Sequence, residues 1–402
     1  MDFTPILSES SKRLKSSKIR ELFKMANTPG LISMAGGMPD SENLPFEEIK
    51  EIINGWDASK ARVALQYGTT KGYNPLLDTI RERMEEKKRI SMLGQDVIIT
   101  TGSQQALALV SKILLNDDEI MCVEVPSFIG AIASFYSFHG KLLGIPIDDE
   151  GMIIEGLVER IVESEKRGKK VKGIYVIPNF SNPSGITLTQ DRRKKLLQIS
   201  VQKNIPIIED DPYGDLYFYG TQEDYLPIKS LDTSGHVIYL GTFSKVLSPG
   251  IRVGWIVAEK TLVEKLELQK QSFDACTSPL SQLIALDYIR KGYIDGYVKK
   301  MRPIYRAKRD AILEAMEAYM PDKVSWTKPN GGLFVWITLP ESMDSEHVFK
   351  EAIKNEVAFV TGDAFLPEGH PNNYIRLTFG DLSLETIKRG VQKLGVVLRK
   401  ML

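Results

Sequence analysis

The sequence predicts an α/β protein: a large domain on a mostly parallel seven-stranded sheet, joined to a smaller α/β domain. Three observations carry that expectation. Seven short apolar runs punctuate the chain as far as Val257, helical patterns fall between several of them, and the composition shifts near residue 290. With 402 residues the chain is long enough for both domains. Lys plus Arg and Asp plus Glu number 52 each, so no net field favours nucleic acid or an anionic membrane. Cys122 and Cys276, the two cysteines, are too few for a disulfide framework and fit a reducing compartment. The N-terminus lacks a basic stretch followed by an apolar core, and no run approaches ~18 apolar residues. A cytoplasmic location is therefore expected.

Taken in order, residues 1–45 form an N-terminal segment expected to join the small domain. Ser17 to Met25 reads as a short amphipathic helix, with Ile19, Leu22 and Phe23 on one face and Arg20 on the polar side. A solvated arginine is the ordinary reading there. Gly36-Gly37 and Pro39 then mark a tight turn that lets a ligand approach the backbone. Residues 46–290 are assigned to the large domain. After L-Q-Y-G-T-T-K-G-Y comes a helix carrying Leu76, Leu77, Ile80 and Met84. Strands are expected at 97–100, 120–123, 141–145, 173–177, 205–208, 237–240 and 253–257. Gly102-Ser103-Gln104 opens a helix, and another is expected at 191–203. Residues 262–271 are helical in pattern, and S-F-D-A-C-T-S-P-L-S breaks that pattern before long helices begin. The small domain is assigned to 291–402, with a strand after Gly331-Gly332, a helix at 346–354 and a strand through Tyr374-Ile375-Arg376.

In an open parallel sheet, ligands bind beyond the carboxyl ends of the strands. Four groups of residues lie there. Ser103 and Gln104 start a helix, whose free N–H groups and dipole favour a phosphate. Asn182 lies in N-F-S-N-P-S-G, and Asp210 and Tyr213 lie in E-D-D-P-Y. Lys245 sits in G-T-F-S-K-V-L-S-P-G-I-R, between hydroxyl residues and Arg252. Singly, each has a plain alternative: a solvated lysine, a helix cap at Asp210, a turn at Asn182, a core ring at Phe128. Together they make chemical sense around pyridoxal phosphate. Lys245 would form a Schiff base with it and, once released, act as the base at Cα. Asp210 would keep the pyridine nitrogen protonated. Tyr213 and Asn182 would donate to the phenolate oxygen, and Phe128 would stack on the ring. Thr242, Ser244 and Arg252 would hold the phosphate.

The motifs N-P-S-G, D-D-P-Y, S-K-V-L-S-P-G-I-R and Y-I-R resemble those of class I, fold type I pyridoxal-phosphate aminotransferases. The resemblance runs from about Ser16 to the C-terminus. Within the class, I-R-E-L, S-M-A-G-G-M-P, L-Q-Y-G-T-T-K-G-Y, T-G-S-Q-Q-A-L and N-G-G-L-F-V-W look like the 2-aminoadipate and kynurenine aminotransferase branch. The resemblance implies a homodimer with active sites at the subunit interface. Tyr67 would then reach the partner's phosphate, and Arg376 would grip the substrate α-carboxylate beside Asn182 and Gly37. Arg20 occupies the place from which an arginine can meet an acidic side chain in that branch. The aspartate-specific pattern draws an arginine from the neighbouring subunit, but Q-S-F-D-A-C-T-S-P has none. Phe128 departs from the usual stacked tyrosine or tryptophan, which keeps the stacking and loses a hydroxyl.

The resemblance implies ping-pong transfer of an amino group to 2-oxoglutarate, with 2-aminoadipate foremost, then aromatic amino acids or kynurenine, and branched-chain residues also open. No metal is assigned. β-Elimination or decarboxylation on the same cofactor would use the same residues. An aminotransferase-like domain also occurs behind DNA-binding helix-turn-helix modules. Against that reading, about 30 residues precede S-M-A-G-G and the net charge is zero.

Overall fold

The computed structural model describes residues 1, 3–7, 30–367 and 369–402; the helix expected at Ser17–Met25 and its Arg20 lie outside them. The chain passes through β1 (Ile32–Ser33), then α1 (Phe46–Asn54), α2 (Ala58–Leu65) and α3 (Asn74–Lys88), before the main sheet begins. That sheet contains β2 (Gln95–Thr100), β3 (Ile120–Val125), β4 (Lys141–Asp148), β5 (Gly151–Met152), β6 (Val171–Val176), β7 (Ile207–Asp210), β8 (Val237–Thr242) and β9 (Gly254–Glu259). The seven expected strands are all present, and the two-residue β5 adds an eighth by folding back on the end of β4.

The strand order is β2-β9-β8-β7-β6-β3-β4-β5. Six strands run parallel, while β9 and β5 are antiparallel to their neighbours. The direction of β9 has a local cause. Between Thr242 and Gly254 there is only the 3-10 turn Pro249–Ile251, not a helix long enough to carry the chain back for parallel pairing.

Both sheet faces are buried, and successive residues alternate between two cores. Met121, Val123, Tyr175, Ile208 and Ile238 join one core. Ile120, Cys122, Ile174, Val176, Ile207 and Val237 join the other. The first core is covered by residues of α3, α4 (Ser103–Leu114), α5 (Ile129–Ser137), α8 (Lys260–Gln271) and α9 (Pro279–Arg290). The second is covered by α6 (Ile154–Lys166) and α7 (Gln190–Lys203).

Gly292, in the left-handed conformation at φ 75°, separates α9 from the 27-residue α10 (Tyr293–Tyr319). Beyond it lies a four-stranded antiparallel sheet of β10 (Ser325–Trp326), β11 (Phe334–Thr338), β13 (Val360–Thr361) and β14 (Tyr374–Thr378), in the order β10-β11-β14-β13. α11 (Ser345–Lys354) and α12 (Leu384–Met401) accompany it. β1 pairs in parallel with β12 (Val357–Ala358), and Thr378 N donates to Met34 O. The chain entering from the N-terminal side is thus tied to the smaller sheet before it reaches the large one.

Candidate active site

The register of the large sheet brings the sequence-distant groups together. Thr100 and Thr242 both pair with Gly254, so the ends of β2 and β8 flank the start of β9. Gly254 is obligatory at that crossing, because a Cβ there would lie 2.9 Å from the Ser103 nitrogen. α4 begins at this point. Its N-cap, Gly102 at φ 76°, supplies no side chain to its first turn, so N–H groups there are left to a ligand. Arg252 closes the ring from the other side. Its left-handed backbone, φ 54° and ψ 44°, turns the side chain back over Gly102. Its Nη2 donates to Thr101 O at 3.3 Å, and a Cβ on Gly102 would meet that nitrogen at 2.3 Å. Thr242 Oγ1 donates to Ser244 Oγ at 3.0 Å. Gln104 Nε2 reaches Gly130 O at 2.9 Å, where the Phe128 ring also lies close. Ser103, Gln104, Phe128, Thr242, Ser244 and Arg252 therefore share one end of the sheet.

A second cluster adjoins the first through Lys245. Its Nζ donates to Gly37 O at 2.6 Å and stands 5.9 Å from the centre of the Tyr213 ring. Burial, then the nearby Arg376 and Arg252 charges, lower the Lys245 pKa to about 8. Arg376, from β14, donates through Nη1 to Asn182 Oδ1 at 2.9 Å and through Nη2 to Ala35 O. Its guanidinium lies 4.5 and 4.8 Å from the ring centres of Phe334 and Phe365. Burial lowers its pKa to about 10, opposed by Tyr213. The smaller sheet, the Gly36-Gly37 turn and the large sheet thus meet at one place.

Asp210 and Asp211 look equivalent in E-D-D-P-Y, but the structure separates them. Asp211 Oδ1 accepts from Asn179 Nδ2 and Gly214 N, both at 3.1 Å. Its Oδ2 accepts from Tyr239 Oη at 3.0 Å and Lys88 Nζ at 3.2 Å. It is saturated. Asp210 Oδ2 accepts from Tyr175 Oη at 3.0 Å, whereas Oδ1 is buried with no partner among the described residues. Burial raises the Asp210 pKa to about 7; the Tyr175 hydrogen bond opposes this and the Asp211 charge adds to it. An orphaned buried carboxylate oxygen is costly unless something donates to it. A protonated ring nitrogen is the donor this site lacks. With the uncapped helix and Arg252 ready for a phosphate, and a lysine of lowered pKa, the residues present fit pyridoxal phosphate.

Tyr67 is the predicted residue that the chain does not bring here: it is 86% exposed, beside a surface depression of about 1130 Å³. Arg20 lies outside the described residues. Sequence reading missed Tyr175, Lys88, Phe334 and Phe365. The hydroxyl of Tyr175 within the apolar I-Y-V-I run was the available signal, since a buried phenol needs a partner.

Comparison with known proteins agrees with this geometry. The family described as Aminotransferase class I and II matches residues 30–394. The chain is 44% identical over 400 residues to aromatic-amino-acid aminotransferase 1 of Thermococcus litoralis, covering 100% of this chain and 95% of that one. It is 37% identical over 406 residues to the 2-aminoadipate transaminase of Thermus thermophilus, covering 100% and 98%. The crystal structure of Pyrococcus horikoshii kynurenine aminotransferase superposes with a TM-score of 0.96 at 41% identity, covering 100% and 98%. With the fold, the lysine and the vacant carboxylate oxygen in agreement, the chain belongs to the class I and II aminotransferases, pyridoxal-phosphate-dependent enzymes of fold type I.

Proposed function

We propose that this enzyme moves the amino group of an aromatic amino acid, kynurenine or 2-aminoadipate to 2-oxoglutarate in two half-reactions at one site. The observation that carries the reading is Lys245 Nζ between the Gly37 carbonyl and the Tyr213 ring, with Asn182-bound Arg376 near enough for its charge to act on the lysine and Asp210 near enough to act on Tyr213. Pyridoxal phosphate, when bound, supplies an electron sink for charge developing at the substrate Cα. Lys245 would hold the cofactor and would move the proton at the substrate Cα; a pKa near 8 suits an amine to that task. Asp210 would receive the ring N–H. Tyr213 and Asn182 would hold the phenolic oxygen, and Phe128 would pack against the ring. Ser103, Gln104, Thr242, Ser244 and Arg252 would hold the phosphate. Arg376 binds the substrate α-carboxylate as a fork, with the Gly37 turn closing over it.

Relatives named for aromatic amino acids, 2-aminoadipate and kynurenine support the substrate range. Glutamate and 2-aminoadipate differ by one methylene, which a pocket discriminates by only ~1–3 kcal/mol, so both are expected to react. The test is a spectral titration of the holoenzyme with 2-aminoadipate, glutamate, tyrosine, leucine and kynurenine, on the parent and on Arg20→Ala. Bleaching of the visible band by 2-aminoadipate, glutamate, tyrosine and kynurenine, and its return with 2-oxoglutarate, is the expected outcome; a response to leucine would extend the range to branched-chain residues. Loss of response to the acidic substrates alone in Arg20→Ala assigns that arginine to the distal carboxylate. No bleaching with any of the five overturns the substrate assignment.

A further inference from the structure

We infer that Tyr175 is a positioning residue for the cofactor: its phenol fixes one oxygen of Asp210 so that the other is aimed at the ring nitrogen. The inference rests on the proposed pairing of Asp210 with that nitrogen.

The argument begins with register. Tyr175 on β6 is opposite Ile208 on β7, and Asp210 is two residues further along the same strand. Side chains two apart share a face, so the Tyr175 ring and the Asp210 carboxylate project on the same side of the sheet as diagonal neighbours. A phenylalanine would fill the space equally well. The hydroxyl is what completes the reach, donating to Oδ2 at 3.0 Å. Tyr175 is fully buried, and Phe135 packs edge-on against it with ring centres 5.6 Å apart and planes at 72°. The ring has little freedom to turn away.

Two further observations separate this contact from ordinary core satisfaction. Asp210 has no other hydrogen-bond donor among the described residues, and its second oxygen is buried and vacant. The neighbouring Asp211, by contrast, takes four donors and has none to spare. Tyr175 thus stabilises the carboxylate form of Asp210 while leaving open the one oxygen that the cofactor needs. A single donor to a buried anion sets both its rotamer and its charge.

The experiment measures binding to the apoprotein, not turnover. Affinities are determined by fluorescence titration for pyridoxal phosphate and for its carbocyclic analogue, in which CH replaces the ring nitrogen. The proteins are the parent, Tyr175→Phe, Tyr175→His and Asp210→Asn. The parent is expected to prefer pyridoxal phosphate. Tyr175→Phe should lower that preference by roughly tenfold, the size of one charge-assisted hydrogen bond, while leaving affinity for the analogue within about twofold. Tyr175→His, which returns a ring N–H from the same strand position, should recover part of the preference. Equal weakening of both ligands in Tyr175→Phe, or no change in either, overturns the inference. So does failure of both Tyr175 variants to fold as apoproteins, which would make the residue a core element only. If Asp210→Asn keeps the parent's preference, the Asp210 assignment itself fails. If Asp210→Asn loses the preference and Tyr175→Phe keeps it, only the role of Tyr175 fails.

Discussion

Lys245 carries its reactivity in its surroundings. A lysine in water is almost wholly protonated at neutral pH, and the ammonium ion is no nucleophile. Burial beside Arg376 and Arg252 brings this one to about 8, so the amine is the form that gains as pH rises through that value. The rate at which apoprotein captures pyridoxal phosphate should therefore climb between pH 7 and 9 and level off above, with Lys245→Arg showing no capture. A rate independent of pH over that window would place the controlling proton elsewhere. Lys88 illustrates the opposite use of a buried amine. It bridges Asp211 and Asp215 at 3.2 and 2.9 Å, and those carboxylates raise its pKa to about 12 against the effect of burial. Its charge is permanent and structural. Lys88→Met removes the ammonium that bridges Asp211 and Asp215, and should cost about 3–5 kcal/mol in denaturant unfolding of the apoprotein.

At the scale of elements, α4 shows how a helix terminus becomes a binding group through what it omits. A serine or aspartate N-cap would satisfy the first-turn N–H groups itself; Gly102 leaves them open and lets Arg252 lie flat against the backbone. Gly102→Ala forces a Cβ onto φ 76° and into the guanidinium. It should weaken pyridoxal phosphate binding and destabilise the apoprotein by about 1 kcal/mol or more, read by titration and thermal melting. Much of this level was legible in the sequence. The seven strands were found because each is an apolar run, most of them buried on both faces, and α4 because Gly-Ser-Gln stands at a strand end. The direction of β9 was not legible, since periodicity reports burial and says nothing of orientation. Asp210 is named from the sequence, but the reason that Asp211 cannot take its part was not legible there, because it depends on Tyr175, Lys88 and Tyr239, which reach the pair from three other elements. The two rings beside Arg376 were hidden for the same reason: Phe334 and Phe365 are far apart in the chain and reach the guanidinium only in the folded protein.

At the scale of the whole molecule, Tyr67 is placed unlike every other predicted contact among the described residues. It is 86% exposed and Leu65 is 81% exposed, on the rim of a depression that Pro279 and Gln282 also line. Large apolar groups grouped at such a surface mark a contact with another chain more readily than a solvated wall. The homodimer that the family resemblance implies would bury this region and carry the Tyr67 hydroxyl to the partner's phosphate cradle. A two-fold dimer makes that exchange reciprocal, and reciprocity is testable by complementation. Tyr67→Ala and Lys245→Ala are each expected to be weak or dead as pure dimers. Refolded together in equal amounts, half the dimers are hybrids, and each hybrid holds one site with Lys245 from one chain and Tyr67 from the other. Mixing should therefore restore about a quarter of the parental activity under random pairing. If Tyr67 served its own chain's site, that same hybrid would have no intact site, and mixing would yield nothing beyond the residual activity of Tyr67→Ala. Recovery in the mixture, set against the oligomeric state measured by light scattering, decides between the two arrangements.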